Sequence, residues 1–172
     1  VTVACIEVNA EDARGLGVLQ VDGGLRTGRD VVVGALNRVI GDAADGRTVS
    51  LDFYTDEQKR ADRTKERTGL FFFRGKPDAP FAIIAPGGGF SYVASVHEGF
   101  PHAVEINRKG FNAFVLKYRV GQGGVIATED LAAAIAFVFD HADALRVSRE
   151  GYSLWGSSAG ARMVATIGSH GV

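Results

Sequence analysis

The sequence contains one cysteine, Cys5, so an internal disulfide cannot form. This lack excludes the small secreted scaffolds that are held together by several disulfides. Neither charge is in excess, because 19 basic and 20 acidic residues give a formal net charge of −1. That balance excludes the basic stripe of a typical nucleic-acid-binding protein and the polybasic segment of a protein that attaches to acidic membranes.

Long apolar runs are also absent. The longest, residues 131–139, has nine residues, whereas a membrane-spanning helix needs about 20. The 172 residues are 46% hydrophobic, which is sufficient for one soluble domain with a sizeable core. We therefore expect neither a membrane nor a nucleic-acid partner. The oligomeric state and the compartment stay open, with the cytoplasm favoured.

From residue 69 onwards, short apolar runs alternate with segments of helical spacing. The runs predict strands at residues 70–73, 81–85, 111–118 and 152–155. The spacing predicts helices at residues 98–109, 128–142 and 159–167, the second of which has Thr128 as its N-cap. Strands that are apolar on both faces and alternate with helices predict an α/β fold, with a mostly parallel sheet covered by helices on both faces.

Residues 1–50 give a weaker pattern. Apolar and polar residues alternate over residues 1–5, which predicts an edge strand, and residues 29–40 have helical spacing. We divide the chain into this N-terminal segment, which is part of the same domain or accessory to it, and a partial α/β domain at residues 51–172. The mixed charges of residues 56–67 predict a solvated short helix or loop, with a docking surface as the alternative.

The strongest signal for chemistry is the motif Gly156-Ser157-Ser158-Ala159-Gly160. It lies between a predicted strand and a predicted helix, the context in which G-x-S-x-G forms a nucleophile elbow. The chain must reverse there within about one residue, which strains the backbone of Ser158, and the two glycines allow the arms of the turn to approach each other. Ser158 Oγ is then exposed at the positive end of a helix, where a developing anion is stabilised. We predict that Ser158 is a nucleophile.

A second motif, Pro86-Gly87-Gly88-Gly89-Phe90, follows the predicted strand at residues 81–85. Three consecutive glycines leave their backbone N–H groups unshielded and able to turn towards a ligand. Acyl transfer needs such donors, because negative charge develops on the carbonyl oxygen in the tetrahedral intermediate. We predict that the N–H groups of Gly88, Gly89 and Ala159 form an oxyanion hole. A phosphate-binding loop or a simple turn is the alternative.

Three other motifs that would indicate a different chemistry are incomplete. Residues 69–77 approach the pattern of a P-loop, but Pro77 stands where a Ser or Thr must contact magnesium. Gly15 and Gly17 lack the third glycine of a dinucleotide-binding fingerprint. The four histidines and Cys5 do not form a set of metal ligands. We therefore expect no cofactor and no metal.

Residues 69–171 resemble the α/β-hydrolase fold, and within it the esterase/lipase branch with a glycine-rich oxyanion loop that is related to acetyl-xylan and other sugar esterases. The segments that carry the resemblance are residues 85–90, 112–119, 129–134 and 156–162. The resemblance implies hydrolysis of carboxylic esters with a small acyl group or a sugar, with Ser158 as the nucleophile and the same three N–H groups as the oxyanion hole. The chain departs from the usual His-Gly-Gly-Gly loop, because Pro86 stands in the place of the histidine.

The acid and the base of a catalytic triad are missing from the expected places. In this fold the serine is followed along the chain by Asp or Glu and then by His, but no acidic residue follows Ser158. His170 lies about 18 Å away at the helical rise of roughly 1.5 Å per residue, so it cannot be the base. The remaining histidines are His97, His102 and His141, and a base among them would be a new arrangement.

Residues near the glycine loop are further candidates. We predict that Phe90 and His97 line the substrate pocket, with a plain surface position as the alternative for His97. Glu98 is expected to be a solvated carboxylate at the start of a helix, and the alternative is that it orients a substrate hydroxyl.

Because the triad is incomplete, we expect an N-terminal fragment of an esterase that is inactive alone. Its strand at residues 152–155 would then be an unpaired edge of the sheet. The expected partner is a small-molecule ester. A serine peptidase of the same fold is one alternative, and a non-catalytic binding domain, or pseudoenzyme, that uses the cleft without a triad is the other.

Overall fold

The computed structural model describes residues 2–6, 19–21, 24–26 and 28–171. The strands in these residues are β1 (Thr2–Ile6), β2 (Leu19–Val21), β3 (Gly24–Arg26), β4 (Ser50–Leu51), β5 (Gly69–Phe73), β6 (Phe81–Ala85), β7 (Asn112–Lys117) and β8 (Ser153–Ser157). The α-helices are α1 (Gly28–Ala44), α2 (Asp56–Ala61), α3 (Phe100–Arg108), α4 (Gly123–Asp140), α5 (Ala142–Leu145) and α6 (Ala159–His170). The structure also has a 3-10 helix at Arg63–Arg67 and a π-helix at Ser95–Gly99.

One six-stranded sheet organises the fold, with the strand order β1-β8-β6-β7-β5-β4. The first four strands of this order are parallel, whereas β5 is antiparallel to β7 and β4 is antiparallel to β5. The predicted α/β class and mostly parallel sheet are therefore confirmed. Because β6, β7 and β8 are parallel, their carboxyl ends lie at one edge, and the loops that follow them meet there.

The edge of the sheet differs from our expectation. We predicted that the strand at residues 152–155 is an unpaired edge, but β8 lies between β6 and β1. The parallel pairing with β1 extends from Thr2↔Ser153 to Ile6↔Ser157. It satisfies backbone groups of β8 that would otherwise be exposed. The edge strand predicted near the N-terminus is confirmed as β1.

Two hydrophobic cores cover the two faces of the sheet. On one face, Phe114 of β7 and Leu154 of β8 pack with Leu131 of α4 and Met163 of α6. On the other, residues of β5, β6 and β7 pack with α3 and α1, and the second core includes Phe73, Val115, Phe100 and Ala35. The helix predicted at residues 29–40 is thus α1, and it packs on the same sheet as the rest of the chain.

Helix α4 begins earlier than the sequence pattern predicts. Thr128 is not its N-cap, because the helix starts at Gly123 and Thr128 Oγ1 donates a hydrogen bond of 2.7 Å to the carbonyl of Gly124. The first turn of α4 lies against Phe90, and a Cβ atom on Gly124 would be 3.1 Å from the ring of Phe90. Glycine has a low helix propensity, and the packing against Phe90 stabilises a helix start at these glycines.

The charged run at residues 56–67 forms α2 and the 3-10 helix, and neither element contains a buried residue. Thr55 caps α2, since its side chain accepts a hydrogen bond from the N–H group of Gln58. The prediction of a solvated short helix is confirmed. Among the residues that the structure describes, no helix is both long enough and apolar enough to cross a membrane.

A buried ion pair holds the end of β7 to α4. Arg119 is 5% exposed and Asp130 is fully buried. The Arg119 guanidinium donates to Asp130 through Nε at 2.9 Å and through Nη2 at 2.7 Å, and the N–H group of Arg119 donates to the same carboxylate at 2.7 Å. Tyr54 Oη adds a fourth donor at 2.7 Å. Each oxygen of Asp130 therefore has a partner, which a buried charge requires.

We expect Asp130→Ala to lower the free energy of unfolding by about 3–5 kcal/mol, because it leaves the buried charge of Arg119 without its main partner. Urea denaturation followed by far-UV circular dichroism measures the change. Asp143→Asn is the matched control, since Asp143 pairs with Arg149 on the exposed surface, and it should have a much smaller effect. Equal losses in the two variants would contradict this prediction.

Candidate active site

Ser158 occupies a sharp turn between β8 and α6. Its backbone has φ 48° and ψ −116°, a conformation that is strained for a residue with a side chain. A Cβ atom on Gly156 would lie 2.5 Å from the carbonyl oxygen of Gly160, and one on Gly160 would lie 1.8 Å from the carbonyl oxygen of Ala85. Only glycine fits at either position. The turn thus has the strained serine and the close approach that the G-x-S-x-G spacing predicts.

The Ser158 side chain is exposed at the N-terminus of α6. Its hydroxyl has no hydrogen-bond partner among residues 28–171. The first N–H groups of α6, beginning with Ala159, have no acceptor inside their own helix. The aligned peptide dipoles of this helix favour negative charge at the same place.

The second glycine motif forms a tight loop after β6. Gly88 has φ 128° and Gly89 has φ 60°, and a Cβ atom on Gly88 would lie 2.1 Å from the carbonyl oxygen of Tyr92. The carbonyl of Gly88 accepts hydrogen bonds from the N–H groups of Ser91 at 3.0 Å and Tyr92 at 3.2 Å. Within residues 28–171, the N–H groups of Gly88 and Gly89 have no acceptor, so both remain available to a ligand.

The loop and the serine turn are in direct contact. A Cβ atom on Gly87 would lie 2.9 Å from Ser158 Cβ and 3.1 Å from the carbonyl oxygen of Ser157. The two glycine motifs are far apart in sequence, since Gly156 follows Gly87 by 69 residues. The structure therefore brings together the predicted nucleophile, Ser158, and the glycine loop that follows β6.

Glu98 connects this loop to the serine turn, and the sequence did not indicate that role. Its carboxylate accepts a hydrogen bond of 2.7 Å from the N–H group of Gly87 and a short one from the Oγ of the buried Ser157. Ser157 Oγ also accepts from the Gly87 N–H group at 3.2 Å. Glu98 is half-buried, so the prediction of a solvated carboxylate is wrong. The π-helix at Ser95–Gly99 presents this side chain to the loop.

Tyr118 holds the same loop through its carbonyl groups. Its hydroxyl donates to the carbonyl of Pro86 at 2.9 Å and to that of Gly87 at 3.2 Å. Burial, together with the nearby charges of Glu98 and Tyr92, raises the pKa of Tyr118 to about 12. The Tyr118 hydroxyl therefore stays protonated, and able to donate these hydrogen bonds, throughout the ordinary pH range.

Phe90 and His97, the two predicted pocket residues, lie in different surroundings. Phe90 has φ 60° and packs against the ring of Tyr118, with a centroid separation of 6.4 Å. The guanidinium of Arg162 lies 5.8 Å from its ring centre, and Phe90 lines a groove that includes residues of α4 and α6. His97 is exposed on the π-helix and lies outside the linings of that groove and of the cavities beside Glu98 and Tyr118.

The other histidines are held by backbone carbonyls near them in sequence. His102 Nδ1 lies 2.7 Å from the carbonyl oxygen of Glu98, and His141 Nδ1 lies 2.9 Å from that of Phe137. His170 is the last residue of α6, at the end opposite Ser158, as predicted. In the described part of the chain, no histidine bonds to Ser158 Oγ, and no three His, Cys, Asp or Glu side chains are placed to hold a metal ion.

The model of the protein family BD-FAE matches residues 74–171. An acetylxylan esterase from Xylanibacter ruminicola is 28% identical over 97 residues, which make up 56% of this chain and 20% of that protein. Among solved structures, MGS-M1, an α/β-hydrolase enzyme from a Medee basin deep-sea metagenome library, is 27% identical with a TM-score of 0.57. That match covers 60% of this chain and 47% of MGS-M1.

An acetyl ester-xyloside bifunctional hydrolase from Caldicellulosiruptor lactoaceticus has a TM-score of 0.63. Its identity of 24% shows a shared fold alone, over 70% of this chain and 46% of that one. Together with MGS-M1 it establishes the α/β-hydrolase fold that the sequence resembles. The chain spans a fifth of the acetylxylan esterase and less than half of either solved structure.

We expect Glu98→Ala to lower the free energy of unfolding by about 1–3 kcal/mol, because the hydroxyl of Ser157 loses a buried acceptor. Glu98→Gln keeps an acceptor oxygen and should lose less. Urea denaturation can be followed by the fluorescence of Trp155, the one tryptophan of the chain, which lines the same small cavity as Glu98. Glu150→Ala, on the exposed surface, is the control. A loss in Glu98→Gln as large as that in Glu98→Ala would contradict this account.

The raised pKa of Tyr118 predicts a loss of stability at high pH. A pKa that rises from 10.0 in the unfolded chain to about 12 in the folded chain favours folding while the hydroxyl is protonated. This contribution is complete below pH 10 and is lost as the pH rises towards 12. We expect the wild-type chain to lose about 2 kcal/mol more than Tyr118→Phe between pH 9 and 11.5. Guanidinium denaturation at a series of pH values measures this, and parallel curves would refute it.

Proposed function

The chain belongs to the BD-FAE family and has the α/β-hydrolase fold, and on that basis we propose that it hydrolyses carboxylic esters through an acyl-enzyme at Ser158. The observation that carries the proposal is the contact between the two glycine motifs. It places a strained, exposed serine at the start of α6, against a loop that has two N–H groups without acceptors among the residues that the structure describes. A nucleophile next to preorganised N–H donors is the arrangement that acyl transfer requires.

In the proposed reaction, Ser158 Oγ attacks the carbonyl carbon of the ester and its proton passes to a general base. The N–H groups of Gly88, Gly89 and Ala159 stabilise the negative oxygen of the tetrahedral intermediate. One such donor contributes about 10²- to 10³-fold to the rate. The intermediate collapses, the alcohol leaves with the proton from the base, and water then releases the acid from Ser158 by the same steps.

The general base is proposed to be a histidine of the complete encoded protein other than the four in these 172 residues. None of the four histidines bonds to Ser158 Oγ in the part of the chain that the structure describes, and His102 and His141 are already bonded to carbonyls. A serine hydroxyl without a base is a weak nucleophile. We therefore propose that these 172 residues alone react slowly and that activity belongs to the complete encoded protein.

The substrate is proposed to be an ester with a small acyl group, such as an acetylated sugar. The support is the name of the Xylanibacter ruminicola relative, an acetylxylan esterase that is 28% identical to this chain over 97 residues. The free hydroxyl of Ser158, which has no base among the described residues, is equally consistent with a non-catalytic binding domain. Labelling of Ser158 by a fluorophosphonate probe decides between these two functions.

A fluorophosphonate probe, which modifies activated serines, tests the proposal. We expect strong labelling and hydrolysis of p-nitrophenyl acetate by the complete encoded protein, and weak labelling of the 172-residue chain. Ser158→Ala should abolish labelling and lower the rate at least about a thousandfold, because the nucleophile is lost. Ser169→Ala, an exposed serine on the same helix, should retain both.

Two outcomes would overturn parts of this proposal. If the complete protein does not label at Ser158 and hydrolyses no ester, the chain is a binding domain and not an esterase. If the 172-residue chain labels as strongly as the complete protein, the base lies within these residues. Turnover of a peptide anilide in preference to the ester would identify a serine peptidase instead.

A further inference from the structure

A cavity of about 990 Å³ lies beside the glycine loop, at the carboxyl end of β7. Ser91 and Tyr92, which continue the loop, form one part of its lining, and the 3-10 helix at Arg63–Arg67 forms another. Tyr118 lies between them, and its hydroxyl holds the carbonyl groups of the loop. A molecule in this cavity therefore contacts Ser91 and Tyr92, whose N–H groups bond to the carbonyl of Gly88 in the glycine loop.

Cations outnumber anions in the lining of this cavity. It contains one acidic residue, Glu66, and four basic residues, Arg63, Arg67, Lys117 and Arg119. Arg119 is neutralised by the buried Asp130, and Arg63 pairs with Glu66 at 3.2 Å. Arg67 and Lys117 form no ion pair with any acidic residue among those the structure describes. The cavity thus has two positive charges without a partner in this part of the protein.

The sheet register places these two cations at the same edge. Lys117 pairs with Gly69 in the ladder between β7 and β5, and Arg67 precedes Gly69 by two residues. Lys117 is half-buried, and apolar side chains, including Phe71 and Phe100, line the same cavity. Arg67 is exposed, whereas the charge of Lys117 lies in a concave, partly apolar site, where it is screened less than on an open surface and attracts anions more strongly.

We propose that this cavity binds an acidic sugar, through its carboxylate at Arg67 and Lys117 and through its hydroxyls at the polar groups around them. Arginine and lysine form charge-assisted hydrogen bonds with carboxylates. The hydroxyls of Ser91, Tyr92 and Ser95 and the amide of Gln122 line the same space and match a polyol. Tyr92 is 63% exposed, so its side chain is accessible to a ligand in the cavity.

The position of the cavity gives the acidic sugar a role in the reaction. In that role, the cavity binds the alcohol part of the ester, so the role rests on the proposed function. Binding of the sugar acid itself does not depend on catalysis. The preferred substrates would then be esters of sugars that carry a carboxylate. The charged run at residues 56–67 contributes its last residues to this site, in addition to forming a solvated surface.

Binding of D-glucuronate and D-glucose, measured by saturation-transfer NMR at low salt, tests the inference without an enzyme assay. We expect glucuronate to bind about tenfold more tightly than glucose, because only glucuronate has the carboxylate that forms charge-assisted contacts with Arg67 and Lys117. Arg67→Gln and Lys117→Gln should each reduce this preference, and the double variant should abolish it. Glu66→Gln removes the one acidic side chain of the lining and should increase the preference for glucuronate. Arg60→Gln, an exposed cation outside the lining, is the control for net charge.

The kinetic arm uses the complete encoded protein with an acetylated methyl glucuronoside and an acetylated methyl glucoside. The ratio of kcat/KM for the acidic over the neutral ester should fall about tenfold in the double variant. Equal binding of the two sugars by the wild-type chain, or an unchanged preference in the double variant, would overturn the inference. A preference that depends on the two cations, in a protein that hydrolyses neither ester, would overturn the proposed function and leave the acid-binding cavity in place.

Discussion

The carbonyl of Ala85 lies so close to Gly160 that no side chain fits between them, and the rest of the site depends on this contact. The end of β6 and the first turn of α6 approach until a Cβ atom on Gly160 would be 1.8 Å from the Ala85 oxygen. Because the strand and the helix are this close, the chain must reverse at Ser158 with a positive φ. The same approach places Gly87 against Ser158, so the loop and the serine are positioned by one packing constraint.

Polar side chains then hold the loop in place from two sides. Glu98 accepts from the N–H group of Gly87, and Tyr118 donates to the carbonyls of Pro86 and Gly87. One residue after Tyr118, Arg119 is held to α4 by Asp130. Backbone N–H donors that are held in place beforehand stabilise a developing charge without reorganisation. The cost of burying these groups is offset because each has a partner.

Local patterns predicted the elements well and their ends less well. The strand at residues 81–85 was predicted with the observed bounds, because its residues are apolar on both faces and a proline and three glycines follow it. The predicted start of α4 was wrong because the helical spacing of the sequence does not reveal the contact of Gly124 with Phe90. The role of Glu98 was missed for a similar reason, since the bond joins Ser157 to a residue 59 positions away.

The sequence alone determined the α/β class, the turn that exposes Ser158 and the loop of Gly88 and Gly89, because each depends on neighbours within a few residues and on the conformational freedom of glycine. Only the tertiary structure decided which partners these segments have. It placed β1 beside β8, Glu98 between the two glycine motifs, and the cations Arg67 and Lys117 in one cavity. Such pairings join segments that are far apart in the chain. They are selected by burial and by sheet register, and the local spacing of residues carries no information about either.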